Sequence, residues 1–202
     1  MYTRNKLVHS VGINDADYPV AKTDTADGKT KQVWMCPYYN RWKSMLERCY
    51  SNSYQNKFPS YVGCVVCEEW LTFSNFKSWM EKQDWQGKQL DKDLLGDGKI
   101  YSPDVCCFIS DDLNKFLTFR KSSNKGLPSG VSKIGNSFKV QISNPILKKI
   151  SYFGCYKTTQ DALDVWVKQK MAIAENIQEL SDNNSLLCAV KQKIREVNNS
   201  QV

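Results

Sequence analysis

The stretch GVSKIGNSFKVQISNPILKKISYFGCY, residues 130–156, holds three short runs separated by turn residues. Gly130 to Lys133, Ser137 to Ser143 and Lys149 to Tyr156 are predicted as strands, and Gly135, Asn136, Asn144 and Pro145 supply the turns between them. The middle run alternates. Phe138, Val140 and Ile142 point one way, while Lys139, Gln141 and Ser143 point the other. Downstream, Thr158 and Asp161 form a near capping box, and Ala162, Trp166, Ile173 and Ile177 carry an apolar face through a long helix. Such a helix can cover the Phe138 side of the sheet, which leaves the Lys139 side open to lie against a duplex groove. Leu186 to Val197 is expected to add one more helix before a frayed end.

Charge marks the same region. The chain's formal charge is +7, a weak pointer by itself. Between Asp112 and Asp161, however, there is no acidic residue, whereas Lys115, Arg120, Lys121, Lys125, Lys133, Lys139, Lys148, Lys149 and Lys157 are all cationic, giving this window +9. A solvated face normally mixes signs, because like charges held together repel unless a polyanion is near. Phosphate is the better explanation, and double-stranded DNA is the expected partner. Arg120, Lys121 and Lys125 fall in RKSSNKGLPS, residues 120–129, a polar segment with Gly and Pro that reads as a linker.

Upstream of that linker the pattern is helical and aromatic. Pro37 suits a first-turn position, and Tyr38, Trp42, Met45, Leu46 and Cys49 follow at helical spacing. Trp70, Phe73, Phe76, Trp79 and Met80 fit a second helix opened near Thr72 or Ser74. These rings could stack on bases, but an aromatic stripe at helical spacing is more often core. After Gln89, LDKDLLGDGKIYSPDVCCFISDDLNKFL reads as a β-hairpin leading into a helix. Residues 1–33 lack sustained periodicity and are expected to form an arm.

The eight cysteines stand at 36, 49, 64, 67, 106, 107, 155 and 188. With no signal peptide ahead of them they are read as reduced thiols, and with no run approaching ~18 apolar residues the chain is expected to be soluble, off the membrane and cytoplasmic. Cys64 and Cys67 have the spacing of half a zinc site, which Cys49 or the Cys106-Cys107 pair could complete. A packed cluster of buried thiols explains the same pattern.

Two resemblances sharpen these expectations. GVSKIGNSFKVQIS followed by YFGCYKTTQDALDVWVKQK resembles the ethylene-response-factor (Apetala) DNA-binding domain, which also occurs in phage and mobile-element nucleases. The resemblance implies a three-stranded sheet entering the major groove, with DNA contacts from Lys133, Lys139, Gln141, Lys148 and Lys149. Lysines suit phosphate better than base edges. The middle segment, about residues 38–118, resembles a phage-type HNH (His-Me finger) endonuclease, on RWKSMLERCY, VVCEEW and the hairpin-plus-helix pattern.

That likeness implies a ββα core holding one divalent cation, magnesium for preference, with Asp91 and Asn114 as its ligands and catalytic residues. Lys92 stands where the family has its general-base histidine, and a lysine at its ordinary pKa of ~10.4 is already protonated. A desolvated Lys92 could act as base, or Asp93 could orient water; the single histidine, His9, lies far away in the expected arm. Without the likeness, Asp91 reads as a turn carboxylate and Asn114 as a helix-end amide.

The expected architecture is therefore α+β: an arm (1–33), an HNH-like ββα domain with flanking helices (34–119), a linker (120–129), a three-stranded antiparallel sheet packed on one long helix (130–180), and a C-terminal helix and tail (181–202). The expected function is DNA binding with metal-dependent nicking or cutting, or binding of DNA or a host protein on a scaffold that has lost catalysis.

Overall fold

The computed structural model describes residues 7–26, 28–118, 127 and 130–199. The chain is α+β and divides into two compact units, residues 1–108 and 109–202. The division falls ahead of the segment 120–129 read as a linker, which apart from Leu127 lies outside the described residues. Among the described residues no helix is long and apolar enough to cross a membrane.

The first unit begins differently from the expected arm. Strands β1 (Ala21–Ala26) and β2 (Lys29–Met35) form an antiparallel hairpin, and Val8, Val11, Ala16, Tyr18 and Val20 pack against the core. The strands carry no alternating apolar pattern because nearly every one of their residues is exposed, so periodicity had nothing to register.

Helix α1 (Pro37–Tyr50) has Pro at its first position and buries Trp42, Met45, Leu46 and Cys49, as the spacing predicts. A short α2 (Asn52–Lys57) follows, with Ser51 Oγ accepting from the Tyr54 amide. Strand β3 (Val65–Val66) leads to a 3-10 turn, Glu68–Leu71, and then to α3 (Phe73–Met80), which opens after Thr72. Trp42 donates from Nε1 to the Trp70 carbonyl at 2.7 Å, and the rings of Trp42, Trp70, Phe73 and Phe76 are all at most 1% exposed. This is a core, and these aromatics are closed to nucleobases.

Strand β4 (Lys88–Asp91) pairs with β6 (Cys107–Ser110), the strand in which the first unit ends. The intervening β5 (Ile100–Tyr101) turns away to pair in parallel with β3, so the expected hairpin is interrupted.

The second unit opens with α4 (Asp111–Leu117), capped by Ser110, whose Oγ accepts from the Leu113 amide at 3.2 Å. Strands β7 (Val131–Ile134), β8 (Ser137–Asn144) and β9 (Lys149–Tyr156) form the antiparallel sheet in that order. Its inner face, led by Val131, Val140 and Ile142, is covered by α5 (Thr159–Glu175), which buries Ala162, Leu163, Trp166, Ile173 and Ala174. Thr158 caps α5 by accepting from the Asp161 amide at 3.1 Å. A short α6 (Gln178–Ser181) and the long α7 (Asn184–Asn199), which buries Leu186, Val190 and Ile194, pack behind α5.

Candidate functional site

In the first unit, Asp91 ends β4 and caps the turn that follows. Its Oδ1 accepts from the amides of Asp93 (3.0 Å) and Leu94 (2.7 Å). Burial raises its pKa, and the two amide donors work against that rise. Lys92 is only 5% exposed; its ammonium donates to Asp93 Oδ1 at 2.9 Å and lies 5.4 and 5.6 Å from the ring centres of Tyr61 and Tyr101. Burial disfavours that charge, but the Asp93 carboxylate and the surrounding side chains outweigh it, and the Lys92 pKa is raised. Lys92 is therefore a fixed ammonium, the opposite of the depressed lysine that base catalysis requires.

This arrangement fits magnesium poorly. A divalent cation at Asp91 would compete with the two backbone amides already on Oδ1. Asn114, on the exposed side of α4, belongs to the second unit. Among the described residues no group of three or more His, Cys, Asp or Glu could hold a metal ion. What the geometry does supply is a turn cap. Asp91→Ala should leave the part-buried Leu94 amide without its acceptor and free the exposed Asp93 amide to water, and cost about 1–3 kcal/mol, read by denaturant unfolding. Stability within about 0.5 kcal/mol of wild type would sink that role.

Of the cysteines read as zinc ligands, Cys49, Cys64 and Cys106 are core thiols and Cys67 packs against that core. Cys49, Cys64 and Cys106 are each no more than 5% exposed, and burial pushes the thiols of Cys49 and Cys106 up to about 12. Cys67, half-buried, is also raised by burial. The Cys64 thiol is oriented towards the Gly98 carbonyl, 3.5 Å away. Without a metal, burial favours the neutral thiol at Cys49, Cys67 and Cys106, whereas zinc takes thiolates.

The second unit carries most of the net positive charge. It holds fourteen Lys and Arg against eight Asp and Glu, net +6, whereas the first has fourteen against thirteen. The register of the sheet decides which residues face outward. Lys139 is opposite Ser132 on one side and Cys155 on the other; Gln141 is opposite Tyr152, and Ser143 is opposite Ile150. A bulge at Val140/Gln141 leaves Phe153 unpaired and keeps Tyr152 and Cys155 on one face, where the Tyr152 hydroxyl lies 3.5 Å from Cys155 Sγ.

The open face is thus mixed rather than lysine-rich. It carries Lys139, Gln141 and Ser143 from β8, with Tyr152 and Ile150, 60% and 66% exposed, from β9. Lys133 and Lys149 have the opposite parity, opposite Phe138 and Asn144, and stand exposed at the rim. Lys148 is in the β8–β9 turn and is ion-paired with Asp112 of α4, which holds that carboxyl below its usual range. Arg120, Lys121 and Lys125 lie outside the described residues.

Beside this turn is an open cleft of about 280 Å³ lined by Lys115, Phe116, Asn144, Lys148 and Lys149, among others. Sequence reasoning included Lys115 in the charge window but not among the DNA contacts. It missed Tyr152 and Ile150 because only the β8–β9 register reveals that they share the face of Lys139. Compared with known proteins, the chain matches no family model, no curated protein and no solved structure.

Proposed function

We propose that this chain is a double-stranded-DNA-binding protein of the phage or mobile-element kind, acting through the second unit on a scaffold that does not cut. The single observation that carries this reading is the composition of the open sheet face and its rim. Lys139 and Gln141 face outward at the centre, Lys133, Lys148 and Lys149 surround them, and no carboxylate occurs in the sheet or its turns.

Cationic heads around a polar, partly aromatic face suit a phosphate backbone, where each neutralised phosphate releases a condensed counterion. Strand β4, which Asp91 ends, pairs with β6, and α4 follows β6 in the chain, with β5 interposed between the two strands; a paired-strand and helix succession is what the HNH-like reading expects. The fixed Lys92 ammonium supports the non-cutting form of that scaffold.

Titration of a labelled 20–30 base-pair duplex by fluorescence anisotropy tests the proposal. About four neutralised phosphates give a log–log salt slope near −3.6, so affinity should fall about 100-fold between 50 and 200 mM salt. Lys139→Ala and Lys149→Ala should each lower the slope by about one. Absence of duplex binding at 50 mM salt would overturn the reading. Supercoiled plasmid incubated with magnesium should stay intact, and nicking that disappears with Asp91→Ala would restore catalysis to the scaffold.

A further inference from the structure

The β8–β9 turn, Pro145 to Lys148, presents Ile146 and Leu147 to solvent, 48% and 54% exposed. Hairpin tips are ordinarily polar, and two branched aliphatic side chains at a tip stand out against water. The tip is also held in shape. Asn144, 9% exposed, turns its Oδ1 inward to accept from the Ile146 amide at 3.0 Å and the Leu147 amide at 3.1 Å. Lys148 adopts a φ of 52°, a left-handed conformation unfavourable for a side-chain-bearing residue, and its ammonium is tethered to Asp112. Such fixing leaves the backbone of the tip little conformational entropy to lose on contact.

Lys148 and Lys149 follow the pair directly, and Lys115 lines the cleft alongside; Asp112, which also lines it, is taken up by Lys148, so Lys149 and Lys115 supply the net positive charge beside the tip. The complementary partner therefore needs an apolar slot bordered by anions. Stacked base pairs between two phosphate backbones have that chemistry, and proteins that kink DNA commonly insert Ile, Leu or Pro between base steps.

Resting on the DNA-binding reading above, we infer that the Pro145–Leu147 tip is a wedge that enters a base step of the bound duplex, unstacks it and bends the DNA. Lys149 holds a flanking phosphate, while Lys148 stays paired with Asp112 and keeps the tip in place. The open sheet face sets the protein's position on the duplex, and the tip adds deformation. Discrimination would then favour sequences with easily unstacked pyrimidine–purine steps, even without base-edge hydrogen bonds.

The test uses the full chain at saturating concentration on a duplex carrying end-to-end energy-transfer dyes and 2-aminopurine at successive positions. Wild type should shorten the end-to-end distance, by a bend of about 20–90°, and raise 2-aminopurine emission several-fold at one or two adjacent positions. Ile146→Ser combined with Leu147→Ser, both at exposed sites, should still bind with an unchanged salt slope while losing bend and emission. Ile146→Met, which keeps an apolar wedge, should retain both.

Binding by wild type with a straight, stacked duplex would overturn the inference and leave the DNA-binding reading standing, as would undiminished bending by the double serine variant. No duplex binding by wild type would overturn both. Capture of the tip by vesicles of anionic phospholipid, lost in the double serine variant, together with no bending of DNA, would assign the tip to a membrane surface instead and equally overturn the wedge.

Discussion

Gly130→Ala should destabilise the second unit by about 3–5 kcal/mol, combining the left-handed penalty with forced repacking. Gly130 has φ +102°, and a β-carbon built there would lie 2.2 Å from the Gln141 carbonyl oxygen and 3.2 Å from Nε1 of Trp166. The first neighbour is backbone and cannot swing aside. Gly130 also accepts the Gln141 amide at 2.7 Å, so the close approach is itself what fastens the start of β7 to β8. Displacing it loosens β7 and, with it, Lys133 and Ser132 beside Lys139.

Gly135→Ala is the control. Gly135 also has a positive φ, +55°, but open space around it, so its cost is confined to about 1–2 kcal/mol. Peptide-resolved hydrogen exchange during denaturant unfolding separates the second unit from the first. Equal losses for the two variants would mean that the Gln141 contact does not position β7.

That glycine illustrates where the sequence was legible. Gly130 opens the predicted first strand, and the turn residues and the alternation of β8 gave the sheet, because turn chemistry and a period of two are local properties. α1, α3 and α5 were legible for the same reason, each having an apolar face at helical spacing and a cap or Pro near its start.

What stayed hidden depends on pairing between distant residues. β5 reads as part of a hairpin and instead joins β3, thirty-five residues earlier at Val65↔Ile100. The bulge that puts Tyr152 on the Lys139 face changes parity without any marker in composition. At the candidate centre, the turn cap formed by Asp91 was legible as a turn carboxylate, whereas the fate of Lys92 depended on its burial beside Tyr61 and Tyr101, which only tertiary packing brings to it, and on the turn geometry that sets the Asp93 carboxylate against its ammonium.

Lys170 is the strongest case of a signal present but unread, and it carries a pH-dependent prediction. It falls between Trp166 and Ile173 on the buried face of α5, the position that helical spacing reserves for an apolar residue. Its side chain is 5% exposed, its ammonium donates to the Phe116 carbonyl at 2.7 Å, and it lies 4.2 Å from the centre of the Phe116 ring and 5.3 Å from that of Trp166. The accepted carbonyl is in the last turn of α4, where a cation suits the helix dipole, so the contact ties α4 to α5.

Burial nevertheless lowers the Lys170 pKa from 10.5 to about 8. The sign follows from proton counting. Between pH 8 and 10.5 the unfolded chain binds more protons at this residue than the folded one, so stability attributable to Lys170 rises with pH across that window. Its full span is about 3 kcal/mol, of which about 2–3 kcal/mol falls between pH 7 and pH 10.

Other groups titrate in the same range, so the informative quantity is the difference between wild type and Lys170→Met. That difference should shift in favour of wild type by about 2–3 kcal/mol from pH 7 to pH 10. A difference independent of pH would show that the folded chain holds Lys170 near its ordinary pKa, and the α4–α5 tie would then be an ammonium contact without a desolvation cost.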